Sequence, residues 1–242
     1  MRDEGRGDAG AESAPAQPRV GAGAVTADDV RAALALQQAA GLPAAVEWVP
    51  ERSPETAGAG RAAGLTVEEL PLLVAVDPVD VLLPAGVRLY LVGADDPELA
   101  LYQRVAATAF AHPGGPCDVS DVPLDTSAEA RARTAALRER IASGRTVMMV
   151  AVENGEPVAV GSHQPVDVDG TEVSEVVGVA TQPRLRGRGL GAGITSALVA
   201  HARETADLVF LAAGDDDVAR IYERVGFARL ATTAVAEPTA VG

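Results

Sequence analysis

Glycines at 187, 189, 191 and 193 constrain this chain more than any other feature. They follow an apolar, β-branched run, Glu175-Val-Val-Gly-Val-Ala-Thr181, and lead into an amphipathic segment that ends near Arg203. A strand therefore enters a turn, and the turn opens a helix. Glycine leaves backbone N–H groups unshielded, and the first turn of a helix presents free donors together with the positive end of its dipole. That combination suits a phosphate. Arg184, Arg186 and Arg188 add local positive charge, expected here to attract the anion rather than to form a solvated turn.

The rest of the chain narrows the field. Its 242 residues carry a formal charge of −14, which argues against a general nucleic-acid binder because counterion release needs a dense Lys/Arg surface. A hydrophobic content of 48% is ample for a buried core, and with aromatics at only 3% that core must be built of small aliphatic side chains. Cys117 is the single cysteine, so there is no internal disulfide and no cysteine-based zinc site. It lies in a Pro/Gly-rich loop with no local activating base, against a role as nucleophile. His112, His163 and His201 are scattered singly, which predicts surface or satisfied side chains and no metal centre. No run is long enough to cross a bilayer, and a cytoplasmic protein with no membrane partner is expected.

Read in order, residues 1–24 predict a disordered tail. Residues 25–84 form an accessory α/β segment: a helix capped by Thr26, a strand over 44–49, a helix over 54–63, and a strand over 65–76 broken by Pro71. Residues 85–236 form the main domain, and 237–242 a C-terminal tail. Within the main domain a strand over 87–92 and two helices precede three strands, over 146–152, 157–166 and 172–181. Asn154-Gly155 and Asp169-Gly170 mark hairpins between them. After the glycine turn and its helix come a strand over 207–212, a helix started by Asp215-Asp216-Asp217, and a last strand over 227–236. The fold class is α/β (α+β): a mixed, mostly antiparallel sheet flanked by helices.

Two familiar phosphate loops fail on spacing. A Walker A loop needs Lys-Ser/Thr after its last glycine, and a dinucleotide fingerprint needs G-x-G-x-x-G at the start of a parallel unit. Arg186-Gly187-Arg188-Gly189-Leu190-Gly191 instead resembles the R/Q-x-x-G-x-G/A loop of the GNAT superfamily of N-acetyltransferases. The segment from Asp215 to Phe227 is similar to that family's N-x-x-A-x-x-x-Y-x-x-x-G-F stretch, with Asp215 where Asn is usual. The resemblance covers roughly residues 87–236. It implies an acetyl-CoA-dependent N-acyltransferase without a metal, whose partners are acetyl-CoA and an amine acceptor.

By the same resemblance, Val179, Ala180 and Thr181 bond the pantetheine arm. Arg186, Gly187, Arg188, Gly189, Leu190, Gly191 and Ala192 cradle the pyrophosphate, and Asp215 contacts the cofactor. Tyr222 protonates the leaving thiolate. Glu175 is the candidate base; period-two alternation sets it on one face with Val173, Val177 and Val179, up to any bulge. A solvated sheet-edge carboxylate is the other reading of Glu175. Position 210, where some members carry Glu, is Phe.

Residues 44–76 repeat the strand-helix-strand order of 207–236 at an offset of 162, pairing Trp48 with Phe210 and Gly64 with Gly226. This reads either as a degenerate half-copy of the same fold, inactive because Gly60 replaces the tyrosine, or as the ordinary similarity of any such unit. Rival functions are a non-catalytic acyl-CoA-binding regulatory module, and an acyltransferase using another acyl-CoA or an oxygen acceptor.

Overall fold

The computed structural model describes residues 15–19, 21 and 23–239. The chain divides into two compact units, Met1–Leu72 with Leu230–Gly242, and Leu73–Arg229. Eight strands, most of them antiparallel, and six α-helices occur among the described residues.

In the smaller unit, α1 (Ala27–Ala39) starts where Thr26 was expected to cap it. Thr26 Oγ1 accepts from Asp29 N–H at 3.3 Å and the Asp29 carboxylate accepts from Thr26 N–H at 2.9 Å, a reciprocal capping box. β1 (Val46–Trp48), α2 (Thr56–Ala62) and β2 (Leu65–Ala75) follow. The break expected at Pro71 does not occur, since a proline withholds only its own N–H from the ladder. β1 pairs antiparallel with β8 (Phe227–Pro238), setting Val46 opposite Ala236 and Trp48 opposite Ala234. Val30, Trp48 and Leu65 close the core over them. Ala16 falls in the expected tail yet is hydrogen-bonded to β1, donating to Ala45 O at 3.0 Å and accepting from Glu47 N–H at 2.9 Å. Residues 1–14, 20, 22 and 240–242 of the two expected tails lie outside the described residues.

The larger unit runs β3 (Val87–Leu91), α3 (Leu99–Ala111), α4 (Ala128–Ala142), β4 (Val147–Glu153), β5 (Glu156–Val168), β6 (Thr171–Thr181), α5 (Leu190–Ala202), β7 (Leu208–Ala212) and α6 (Asp216–Glu223). β3 to β6 form an antiparallel meander. Its two tight turns need positive φ at both central residues, supplied by Asn154-Gly155 at +53° and +84° and Asp169-Gly170 at +52° and +85°. β7 lies parallel to β6, as a helical crossover requires.

Each face of the sheet has its own core. Ile194, Leu198 and Val199 of α5 pack with Val158, Val176 and Val209, whereas Leu99, Tyr102 and Val105 of α3 pack with Val150, Val160 and Ala180. The chain before β3 lies against α5: Ser196 Oγ donates to Val79 O at 2.9 Å and accepts from Val81 N–H at 3.1 Å. Leu83 meets Gly193 so closely that a Cβ there would stand 2.6 Å from it.

One irregularity shapes everything downstream. The β5–β6 register steps from Val160↔Ala180 to Ser162↔Val177, so one residue of β5, Gly161, opposes two of β6, Gly178 and Val179. Gly178, at φ +63°, sits in this bulge. Further along, β6 and β7 are paired only from Val173↔Leu208 to Glu175↔Phe210, and no register pair follows.

Candidate active site

The bulge redirects the end of β6. Before it, Ser174 and Val176 face the α5 side, so Glu175 faces the opposite side. After it, Val179 packs on the α5 side, 3.3 Å from where a Cβ of Gly161 would lie, and Ala180 joins the α3 core. The expected common face of Glu175 and Val179 is therefore corrected: the extra residue at Gly178 flips the alternation, and the two side chains point to opposite faces.

Beyond Thr181 the chain makes a short 3₁₀ turn, Pro183–Leu185, and then the glycine loop. Gly187 and Gly189 adopt φ +77° and +81°, and nothing lies within 4 Å of a Cβ built on either. Gly189 is the N-cap of α5, without a side-chain cap, so no side chain competes for the first-turn donors. The loop opens into a cleft of about 480 Å³. Val179, Ala180 and Thr181 line it from β6. Arg186, Gly187, Gly189, Leu190, Gly191 and Ala192 line it from the loop and first turn of α5, and Tyr222 lines it from α6. A cleft of this size and mixed lining suits a small organic ligand with phosphate groups.

The loop arginines behave differently from the sequence expectation. Arg184 pairs with Asp118 at 2.7 Å and Glu156 at 3.3 Å. Arg188 forks onto Glu153 at 2.9 and 2.7 Å; the carboxylate is held below its usual range chiefly by these hydrogen bonds, and it does not line the cleft. Arg186 donates to Ala109 O at 2.6 Å, His112 O at 2.6 Å and Pro113 O at 2.8 Å, the carbonyls at the C-terminal end of α3. That end is the negative pole of the helix, and a guanidinium is well matched to it. Positive charge in the loop thus fastens the loop to its neighbours.

Asp215 also has a structural engagement. It is the N-cap of α6, accepting from Val218 N–H at 2.7 Å, and lies outside the cleft lining. Tyr222 packs against Phe227, ring centroids 5.9 Å apart, and no hydrogen bond to its hydroxyl is found among the described residues. Burial pushes the phenol up to about 12, so it holds its proton at neutral pH. Glu175 is half-buried at the last paired position of β6, beside Phe210 of β7, and outside the cleft lining.

Sequence reasoning missed Ala109 and Phe110 at the end of α3, and Arg224 just after α6; all three line the cleft. The first two carry no local signal, because only the packing of α3 across the sheet brings them there. Sequence reasoning also took the histidines as isolated. His163 Nε2 and His201 Nδ1 are 3.0 Å apart, and His163 Nδ1 is 2.8 Å from Ser174 Oγ, a buried hydrogen-bonded chain away from the cleft. Cys117 lies outside the cleft, its thiol donating to Asp118 O at 3.6 Å.

A meander that bulges and parts from a parallel strand beside a glycine loop is the arrangement of the GNAT-type α/β fold. Residues 119–227 match the model of the Acetyltransferase (GNAT) family, and the fold of the chain is that of the GNAT superfamily. It is 30% identical over 229 residues to a mycothiol acetyltransferase of Cellulomonas flavigena, an alignment covering 86% of this chain and 62% of the relative. The chain thus spans less than two thirds of that curated relative. Among solved structures, a GCN5-related N-acetyltransferase from Kribbella flavida superposes with TM-score 0.59 at 27% identity, over 88% of this chain and 74% of the other. One from Sphaerobacter thermophilus gives 0.54 at 18% identity, over 85% and 64%, a likeness of fold alone.

Proposed function

We propose that the chain is an N-acetyltransferase that moves an acetyl group from acetyl-CoA to a primary amine by direct attack in a ternary complex. The observation that carries this reading is one cleft: β6 leaves β7 after Glu175↔Phe210, bulges at Gly178, and runs into a glycine loop that Tyr222 overlooks. The residues present fit the donor. Gly187 and Gly189 leave amides open for the pyrophosphate, and Val179, Ala180 and Thr181 offer backbone groups to the pantetheine arm. Arg186 orients that cradle through α3.

Each side chain then has one task. The Tyr222 phenol, protonated at neutral pH, donates to the sulfur as the thiolate departs. Glu175, on the other face at the point where the strands part, takes the proton of the incoming amine directly or through water. Excluding water along the apolar lining strengthens both interactions. Asp215 and Arg188 stabilise the neighbouring elements.

The test is thiol release from acetyl-CoA across a panel of amines that includes the acceptor of the mycothiol acetyltransferase relative. Amine-dependent release in the wild type, reduced about 10²-fold or more in kcat with little change in the acetyl-CoA KM for Tyr222→Phe, is the expected result. A non-catalytic acyl-CoA-binding module is the second reading. It is favoured by the commitment of Arg186, Arg188 and Asp215 to contacts within the protein, and it predicts binding without acceptor-dependent release. Longer acyl-CoA donors and alcohol acceptors in the same panel distinguish the two further enzymatic alternatives.

A further inference from the structure

We infer that Arg224 holds the ribose 3′-phosphate of the CoA donor and makes the cleft selective for CoA over its 3′-dephospho form. The inference rests on the acyl-CoA reading above and adds a residue and a group to it.

CoA presents two phosphate sites of different character. The pyrophosphate is a run of diester-like oxygens that neutral amides at a helix start accommodate well. The 3′-phosphate is a terminal monoester carrying about −1.5 to −2 charges at neutral pH, for which a guanidinium fork is the natural partner. The cleft has few cations to give. Arg184 and Arg188 are neutralised by Asp118, Glu156 and Glu153, and Arg186 is spent on the carbonyls of Ala109, His112 and Pro113 at the end of α3.

Arg224 differs from all of them. It is exposed, lines the cleft, and among the described residues has no hydrogen bond or ion pair from its side chain. Its neighbours around α6 are paired: Arg220 with Asp217, and Arg229 with both Asp216 and Glu223. Among the arginines that line the cleft, Arg186 and Arg224, only Arg224 keeps its guanidinium uncommitted. It is also well placed. Arg224 is the C-cap of α6, two residues beyond Tyr222, with Val218 and Ile221 lining the same wall. With the pyrophosphate on the glycine loop, this assignment sets the phenol toward the thioester end and the guanidinium toward the nucleotide end.

Calorimetric titration with CoA and with 3′-dephospho-CoA tests this without requiring turnover. The wild type is expected to bind CoA about tenfold or more tightly than 3′-dephospho-CoA, the range for one charge-assisted contact. Arg224→Ala should weaken CoA binding by about that factor and leave 3′-dephospho-CoA within about twofold. Arg224→Lys should keep part of the preference, and Arg220→Ala should leave both affinities as they were. Equal weakening of both ligands by Arg224→Ala would place Arg224 on the pyrophosphate and overturn the assignment, as would no weakening of either. A wild type that binds neither ligand would instead overturn the acyl-CoA reading itself, and the assignment with it. Thermal melts matching the wild type show that each variant is folded.

Discussion

Arg186→Ala discriminates between two accounts of the loop. The guanidinium makes three bonds of 2.6 to 2.8 Å to the end of α3, two in exposed positions and one, to Ala109 O, partly buried. A partly buried bond to a charged donor contributes about 1.5 kcal/mol, while each exposed one, screened by water, is taken at roughly 0.5 kcal/mol. Charge at the negative end of the helix adds roughly 0.5 kcal/mol more. The sum, about 3 kcal/mol less what water restores to the carbonyls, predicts a fall in melting temperature of about 4–10 °C for a unit of this size. Because Ala109 and Phe110 line the cleft, loosening this tie also misplaces one wall against the glycine loop. The acetyl-CoA KM should rise about tenfold with a smaller change in kcat, since donor placement rather than proton transfer is disturbed. Arg186→Lys keeps the charge at the helix end but cannot span three carbonyls, and should recover less than half of the stability. Scanning calorimetry and steady-state kinetics on the three proteins suffice. A variant that loses donor affinity at unchanged melting temperature would show that Arg186 meets the phosphate directly, and the tie would have no functional part.

Further outcomes follow from individual residues. Gly226 has φ +95°, and a Cβ on it would stand 2.0 Å from Asp77 O, whose own N–H donates back to Gly226 O at 3.1 Å. Gly226→Ala should cost about 3–5 kcal/mol in chemical denaturation, and a loss below about 1 kcal/mol would mean the chain at Asp77 moves freely. His163 is 2% exposed, and burial first, then the neighbouring His201, lowers its pKa to about 4. The unfolded imidazole takes a proton near its ordinary value while the folded one stays neutral, so the unfolded state binds more protons in that window. Stability is thus lost as pH falls from about 6.5 toward 4, by up to about 3 kcal/mol, and is unaffected by this group above that range. His163→Asn should flatten the decline of melting temperature between pH 7 and 4.5; an unchanged slope assigns the loss to other groups. Glu175→Gln should lower kcat about 10²-fold, whereas full activity at every pH would leave deprotonation to solvent.

Much of this architecture was legible because it depends on local chemistry. Thr26 with Asp29, the two Asx-Gly turns and Gly226 each signal an element boundary through a backbone requirement that few other residues meet. The glycine loop was legible for the same reason. What escaped were consequences of register and packing. Nothing around Gly178 distinguishes a bulge from a plain strand glycine, yet that one extra residue reverses the face of everything after it. Nor does an arginine in a glycine loop declare that its partners are the carbonyls of a helix more than seventy residues earlier. The pairing of His163 with His201 likewise depends on α5 lying over β5.

The bulge that upset the sequence reading also makes the two proposed proton-transfer roles compatible. Had β6 run straight, Glu175 and Val179 would share a face. Direct attack needs the reverse, since the amine approaches the carbonyl while the thiolate departs, and a single wall cannot host both proton transfers without crowding them. Tyr222 of α6 packs with the α5-side core, and Glu175, ahead of the bulge, faces the other side. β6 and β7 cease to pair at Glu175↔Phe210, and in the proposed mechanism the thioester is reached there from both faces. The φ of +63° at Gly178 is a conformation in which any side chain is strained, and the strain would fall on the bulge that lies between the proposed base and the cleft.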